Sequence, residues 1–185
     1  PAVKNGKSFD TTMGVTPLAG LMMGTRCGSI DPAIVPFLMQ KEGLTASEID
    51  TILNKKSGIL GISEFTSDNR DIEDGAKNGN ERCVLVENML CHQITKYVGG
   101  FAAAMGGIDA IVFTGGIGEN NPKYRSVVGN NLKFMGVEVD EAKNAKAMRT
   151  SDENDVSTAD AKVRMLVIPT NEELMIAKDT YSLIK

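Results

Sequence analysis

Three places in this chain carry residue types suited to work on phosphate. In the first, Arg26 stands between Gly24 and Gly28, an irregular setting from which a guanidinium can be presented into a cleft. Its planar fork donates two parallel hydrogen bonds to a phosphoryl group, although a surface ion pair explains the residue equally well. In the second, Gly115-Gly116-Ile117-Gly118-Glu119-Asn120 follows the apolar run Ile111-Val112-Phe113. A glycine turn after a strand lets a ligand approach the backbone, and the free amides of the next helix attract an anion. The spacing matches neither the P-loop nor the dinucleotide fingerprint, and a tight turn needing positive φ accounts for the glycines at least as well. In the third, Val167-Ile168-Pro169 leads into Thr170-Asn171-Glu172-Glu173. Thr170 and Glu173 fit a capping box. Glu172 lies outside that box and suits Mg²⁺ held mostly through water, while periodicity alone favours a first-turn acid complementing the helix dipole.

Other polar groups read more simply. Ser67-Asp68-Asn69-Arg70-Asp71 has the composition of a solvated helix start, with Asp68 or Asn69 as its cap. His92, the one histidine, falls mid-helix beside Cys91, away from every glycine-rich stretch, and is left out of the site. Cys27, Cys83 and Cys91 are odd in number and show no CxxC spacing, which points to reduced thiols in a cytosolic protein. Most of the ten methionines are core filler.

The elements that must position these groups alternate between strand and helix patterns. Residues 2–4 and 7–9 flank Asn5-Gly6, a two-residue hairpin signal. A Gly- and Met-rich stretch from Thr12 to Ile30 reads as loop with short elements. Asp31-Pro32 opens a helix that Gly43 ends, and Thr45 to Glu48 is a capping box for a second helix that stops at Gly58. Residues 81–105 form a long helical pattern, with Val84, Leu85, Met89, Leu90, Ile94 and Val98 as its apolar positions and Gly99-Gly100 as a candidate bend. Residues 109–114 and 163–168 read as buried strands, each followed by a helix. The expectation is one continuous α/β domain with a mixed sheet and helices on its faces.

Composition narrows the class. At 185 residues, 42% hydrophobic and 24% charged, the chain is an ordinary globular domain. No run approaches the ~20 apolar residues of a membrane span, and no leader pattern argues for secretion. The start at Pro1, directly into a strand-like run, points to a fragment or a processed product. A net charge of −4 argues against general nucleic-acid binding. It makes each well-placed arginine informative for a phosphate-bearing small molecule.

Read in order, the motifs form one pattern. MGVTPLAGLMMGTRCGSIDPAIV, NKKSGILGIS, FTGGIGEN and VIPTNEEL resemble the acetate kinase family, and the resemblance spans the whole chain. It is similar to the C-terminal half of that family, which implies that residues 1–185 are the nucleotide-binding and dimerisation domain and that an N-terminal domain is absent. The implied fold is that of the acetate and sugar kinase, heat-shock ATPase and actin superfamily. The implied reaction is ATP + acetate ⇌ ADP + acetyl phosphate with Mg²⁺, in the cytoplasm, by a homodimer. Propionate is the alternative acceptor, and the isolated half is expected to be inactive.

The resemblance also implies roles for residues. Arg26 corresponds to the arginine that stabilises the phosphoryl group in the transition state, and Glu172 to a magnesium-associated glutamate. Gly116, Ile117, Gly118, Glu119 and Asn120 correspond to the adenosine loop, with Asp68, Asn69 and Arg70 across the nucleotide from it. Pro17 corresponds to a proline lining the acetate methyl pocket. Asn69 departs from the family, which often has an aromatic residue there.

Overall fold

The computed structural model describes residues 1–148 and 150–184. The chain divides into two compact units, Pro1–Gly107 and Ile108–Lys185, where the sequence reads as one continuous domain. The division follows the glycine pair 106–107 that ends the longest helix.

The first unit opens with β1 (Ala2–Lys4) and β2 (Lys7–Asp10), paired antiparallel. Asn5 and Gly6 join them with φ of 53° and 71°, the mirror-image turn whose twist matches a hairpin. Residues 11–33 contain no helix or strand, as the glycine-rich reading expects. Helix α1 (Ile34–Glu42) starts later than its predicted signal. Asp31 Oδ1 accepts from the Ala33 amide at 2.9 Å and the Asp31 carbonyl from Ile34, so Asp31-Pro32 builds a turn that leads into the helix. Helix α2 (Ala46–Lys55) has the full Thr45–Glu48 capping box. Gly58, read as the stop after α2, instead begins a separate short helix, α3 (Gly58–Ser63).

Helices α4 (Asn69–Lys77) and α5 (Glu81–Met105) pack on each other. Ile72, Cys83 and Val86 are fully buried between them, each large aliphatic side chain contributing about 1.5–3 kcal/mol. The buried stripe of α5 runs through Cys83, Val86, Glu87, Leu90 and Cys91, spaced three and four apart on one face. Val84 and Leu85, two of the apolar positions in the helical pattern, stand off that stripe and are exposed. The helix continues through Gly99 and Gly100 without interruption.

The second unit is built on a three-stranded mixed sheet in the order β3 (Ala110–Phe113), β5 (Arg164–Val167), β4 (Asn154–Asp155). Strands β3 and β5 run parallel, Phe113 opposite Val167, and β4 lies antiparallel to β5. The two-residue β4 has no pattern long enough to be read from sequence. Strand β3 is half-buried rather than fully buried: Ile111 and Phe113 point inward, while Val112 is 49% exposed. Helix α6 (Gly115–Asn120) follows β3, and α7 (Pro122–Asn131) follows α6. Tyr124, Val128 and Leu132 are buried, and Gly129 lies so close to Met165 of the sheet that a Cβ there would meet its sulfur at 3.2 Å. Helix α8 (Glu141–Lys146) packs on α7, and α9 (Glu172–Leu183) is exposed along its length. The α/β class, the mixed sheet and the flanking helices match the sequence expectation. Among the described residues no helix is long and apolar enough to cross a membrane.

Asn80 caps α5 by accepting from the amides of Arg82 and Cys83. Asn80→Ala is expected to cost about 1 kcal/mol, read as a lower denaturant midpoint with an unchanged slope.

Candidate functional site

In the first unit the Arg26 turn is held by its backbone. The Cys27 amide donates to Leu53 O, Ser57 to Thr25 O, Ile59 to Met23 O and Leu60 to Gly24 O, at 2.9–3.0 Å. The Thr25 hydroxyl adds a bond to Asn54 O at 2.9 Å. Two of these donors belong to the first turn of α3, whose amides lack helical partners, so the arginine turn and the helix satisfy each other. Gly58 makes the contact possible. Its φ is +61°, and a Cβ there would overlap the carbonyl oxygens of Met23 and Arg26. The Arg26 guanidinium is half-buried, donates to Met23 Sδ at 3.7 Å and has no carboxylate partner among the described residues. The surface ion pair that the sequence allowed is therefore not formed.

Beside this turn lies the Asp68 segment, close enough that a Cβ at Gly24 would meet Ser67 O at 3.1 Å. Asp68 is the cap of α4: its Oδ1 accepts from the Arg70 amide at 2.9 Å. The Arg70 guanidinium forks onto the same carboxylate, and that pairing holds the Asp68 carboxyl at about 2. Asn69 donates to Glu73 at 2.6 Å. Pro17 is exposed in the 11–33 segment.

In the second unit both strand-to-helix junctions leave the same end of the sheet, because β3 and β5 are parallel neighbours. The glycine run is not a loop but the helix α6 itself. Three glycines in six residues are poor helix formers, and Thr114 provides no side-chain cap. Two side chains hold the turn instead. Glu119 Oε1 accepts from the Gly115 amide at 2.8 Å, the Thr170 amide at 2.8 Å and the Thr170 hydroxyl at 3.1 Å. The Thr170 amide leads the causes that hold the Glu119 carboxyl below its ordinary range. Arg125, fully buried, donates to Gly118 O and Glu119 O at the other end of α6. Its remaining donors reach Asn144 Oδ1, Asn144 O and Ala147 O.

The guanidinium thus caps the C-terminal carbonyls of α6 and α8 together, where a cation is favoured. Burial pushes its pKa down to about 10, and five accepted bonds keep it protonated at neutral pH. Arg125 did not stand out in the sequence. Its one signal is that 125, 128, 129 and 132 share the buried helical spacing, which puts an arginine at a core position.

The capping box predicted for Thr170 and Glu173 is absent. Asn171 caps α9 by accepting from the Leu174 amide at 3.1 Å, because the carboxylate of Glu119 engages Thr170 more strongly than a first-turn acid of its own helix. Glu172 and Glu173 stand exposed in the first turn of α9. No group of three His, Cys, Asp or Glu able to hold a metal occurs among the described residues. A single exposed carboxylate fits Mg²⁺ that arrives with phosphate and water rather than in a protein cage.

The pinned arginine turn of the first unit and, in the second, the glycine-rich helix start at the end of a mixed sheet belong to an α/β protein. The chain belongs to the acetokinase family, whose sequence profile matches residues 1–178. It is 54% identical over 184 residues to the acetate kinase of Heliobacterium modesticaldum, covering 100% of this chain and 45% of that protein. The crystal structure of Porphyromonas gingivalis acetate kinase superposes with a TM-score of 0.91 at 50% identity, over 99% of this chain and 45% of that one. A propionate kinase from Francisella tularensis superposes at 0.86 and 39% identity, over 95% and 44%. The chain spans about half the length of the relatives it matches.

Two substitutions probe the supports. Gly58→Ala is expected to destabilise by about 3 kcal/mol through positive φ and overlap. Arg125→Lys, whose ammonium can make at most three of the five bonds, is expected to cost about 3 kcal/mol. Thermal unfolding followed by circular dichroism reads both, and a loss below about 1 kcal/mol in either contradicts the role given to it.

Proposed function

We propose that this chain is the nucleotide-gripping half of an acetate kinase, ATP + acetate ⇌ ADP + acetyl phosphate, completed by an N-terminal domain and working as a cytoplasmic homodimer. The observation that carries the reading is the half-buried Arg26 guanidinium, without a carboxylate partner among the described residues, on a backbone fixed by four amide bonds and a hydroxyl bond. Phosphoryl transfer calls for positioned charge more than covalent chemistry, and an arginine aimed at the equatorial oxygens is worth ~10³–10⁵ in rate where it has been measured. A guanidinium already committed to a carboxylate would be less able to do this.

The remaining roles follow from the same reading. In the second unit α6, with Gly116, Ile117, Gly118, Glu119 and Asn120, is the adenosine-binding segment, and in the first unit Asp68, Asn69 and Arg70 are nucleotide contacts. Pro17 lines the methyl pocket. Glu172 holds Mg²⁺ through water, and the ion supplies charge neutralisation between the phosphates. Identities of 53–56% to proteins named acetate kinase favour acetate. Propionate remains the second reading, supported by the Francisella propionate kinase likeness, since one methylene is worth only ~1–3 kcal/mol in an apolar pocket. The exposed Val84 and Leu85 on α5 are apolar surface that a second copy would cover.

Gly116 gives a clean test. A Cβ at this position meets no atom within 4 Å, so Gly116→Val leaves the fold intact while filling the space a nucleotide must enter. Calorimetric titration is expected to show saturable Mg·ADP binding to this chain and roughly tenfold or greater weakening in the variant, with no acetyl phosphate formed by the chain alone. A folded chain that binds no nucleotide would sink the reading of α6 as a self-sufficient site.

A further inference from the structure

The two strand-to-helix junctions of the second unit are joined by one oxygen atom. Glu119 Oε1 accepts from Gly115 N–H, Thr170 N–H and Thr170 Oγ1–H. Gly115 opens the glycine helix after β3, and Thr170 lies fifty-one residues beyond Glu119, in the segment that leaves β5. Thr170 is two residues before Glu172 in the first turn of α9. At the strand ends Ile168 N–H donates to Phe113 O at 3.0 Å, next to the Phe113–Val167 pair of the parallel ladder. Past that pair the Glu119 carboxylate bridges the two junctions, from Gly115 to Thr170.

From this geometry we infer that Glu119 is a positioning residue that locks the glycine turn and the Glu172-bearing helix start into one unit, so that binding at either end is felt at the other. The side chain reaches back under α6 to its first amide, so its contribution to a nucleotide site is mechanical. The lock has a specific chemical requirement. One acceptor must serve three donors, two of them backbone amides from separate junctions, and a carboxylate oxygen with its full negative charge is the strongest acceptor the side chains offer. Arg125 fixes the other end of α6 through Gly118 O and Glu119 O, so movement of Thr170 is transmitted to the turn rather than absorbed by it. The coupling to nucleotide and Mg²⁺ rests on the function proposed above; the lock itself does not.

Backbone amide hydrogen exchange of this chain, without ligand, tests the lock directly. In Glu119→Ala, exchange at Gly115 and at Thr170 is expected to accelerate together by about tenfold or more. The amides of Val156 and Arg164, bonded to Met165 O and Asp109 O in the sheet, should keep their protection. Glu119→Gln retains the shape with a weaker acceptor and guards against misfolding of the alanine variant; it should speed both amides by a smaller, shared factor. Acceleration at one amide alone, or at neither, overturns the proposal.

The second arm reads coupling, which a merely structural residue would not change. The ratio of ADP affinities with Mg²⁺ and with EDTA is measured by calorimetry in wild type and Glu119→Gln. The ratio should fall toward one in the variant, and an unchanged ratio overturns the coupling. If wild type binds no ADP, the nucleotide reading of α6 fails, while the amide measurement still decides the lock.

Discussion

The second unit depends on a buried cation without a buried anion. Arg125 is fully enclosed, and its five N–H groups end on four carbonyl oxygens and one amide oxygen. Burying a guanidinium costs several kcal/mol unless every donor is met, so none of these acceptors can drift without exposing that cost. The acceptors are helix ends, which have unpaired carbonyls to offer. The same bonds therefore solve two problems. They solvate the charge, and they give a glycine-rich six-residue helix a fixed end that its own propensity would not supply.

The Arg26 turn in the first unit is organised by a different device. There the backbone of residues 23–27 docks on residues 53–60, with carbonyls of the turn accepting from the orphan amides of α3. A glycine at position 58 permits a separation that any side chain would prevent. In both units the candidate chemistry sits on a segment without regular strand or long helix, and in both the segment is tied down by hydrogen bonds to its backbone. Preorganisation has this physical content: polar groups are held in place before any ligand arrives.

Three residues of the candidate site have structural work of their own. Asp68 caps α4 and pairs with Arg70. Glu119 lies in the glycine-rich helix α6, and its carboxylate faces its own backbone and Thr170. Gly58 reads as a helix stop but is the seat of the arginine turn. In each case the partner found in the fold decides what the residue does there.

The local signals in the sequence were sound where the interaction is local. The Asn5-Gly6 hairpin, the Thr45–Glu48 capping box, the Asp68 cap and the span of α5 each depend on residues within a few positions of one another, and each is present. The order of the motifs was enough to place the chain in its family. Readings failed where the deciding partner is distant in sequence. The spacing pairs Thr170 with Glu173, three residues away, but in the fold it bonds to Glu119, fifty-one away. Arg125 carries no role that its neighbours in sequence reveal, because Asn144 and Ala147 reach it only in the fold. A sequence determines which bonds a short segment can make with itself; only the folded chain brings together the charges, orphan carbonyls and glycine clearances that decide which bonds are made instead.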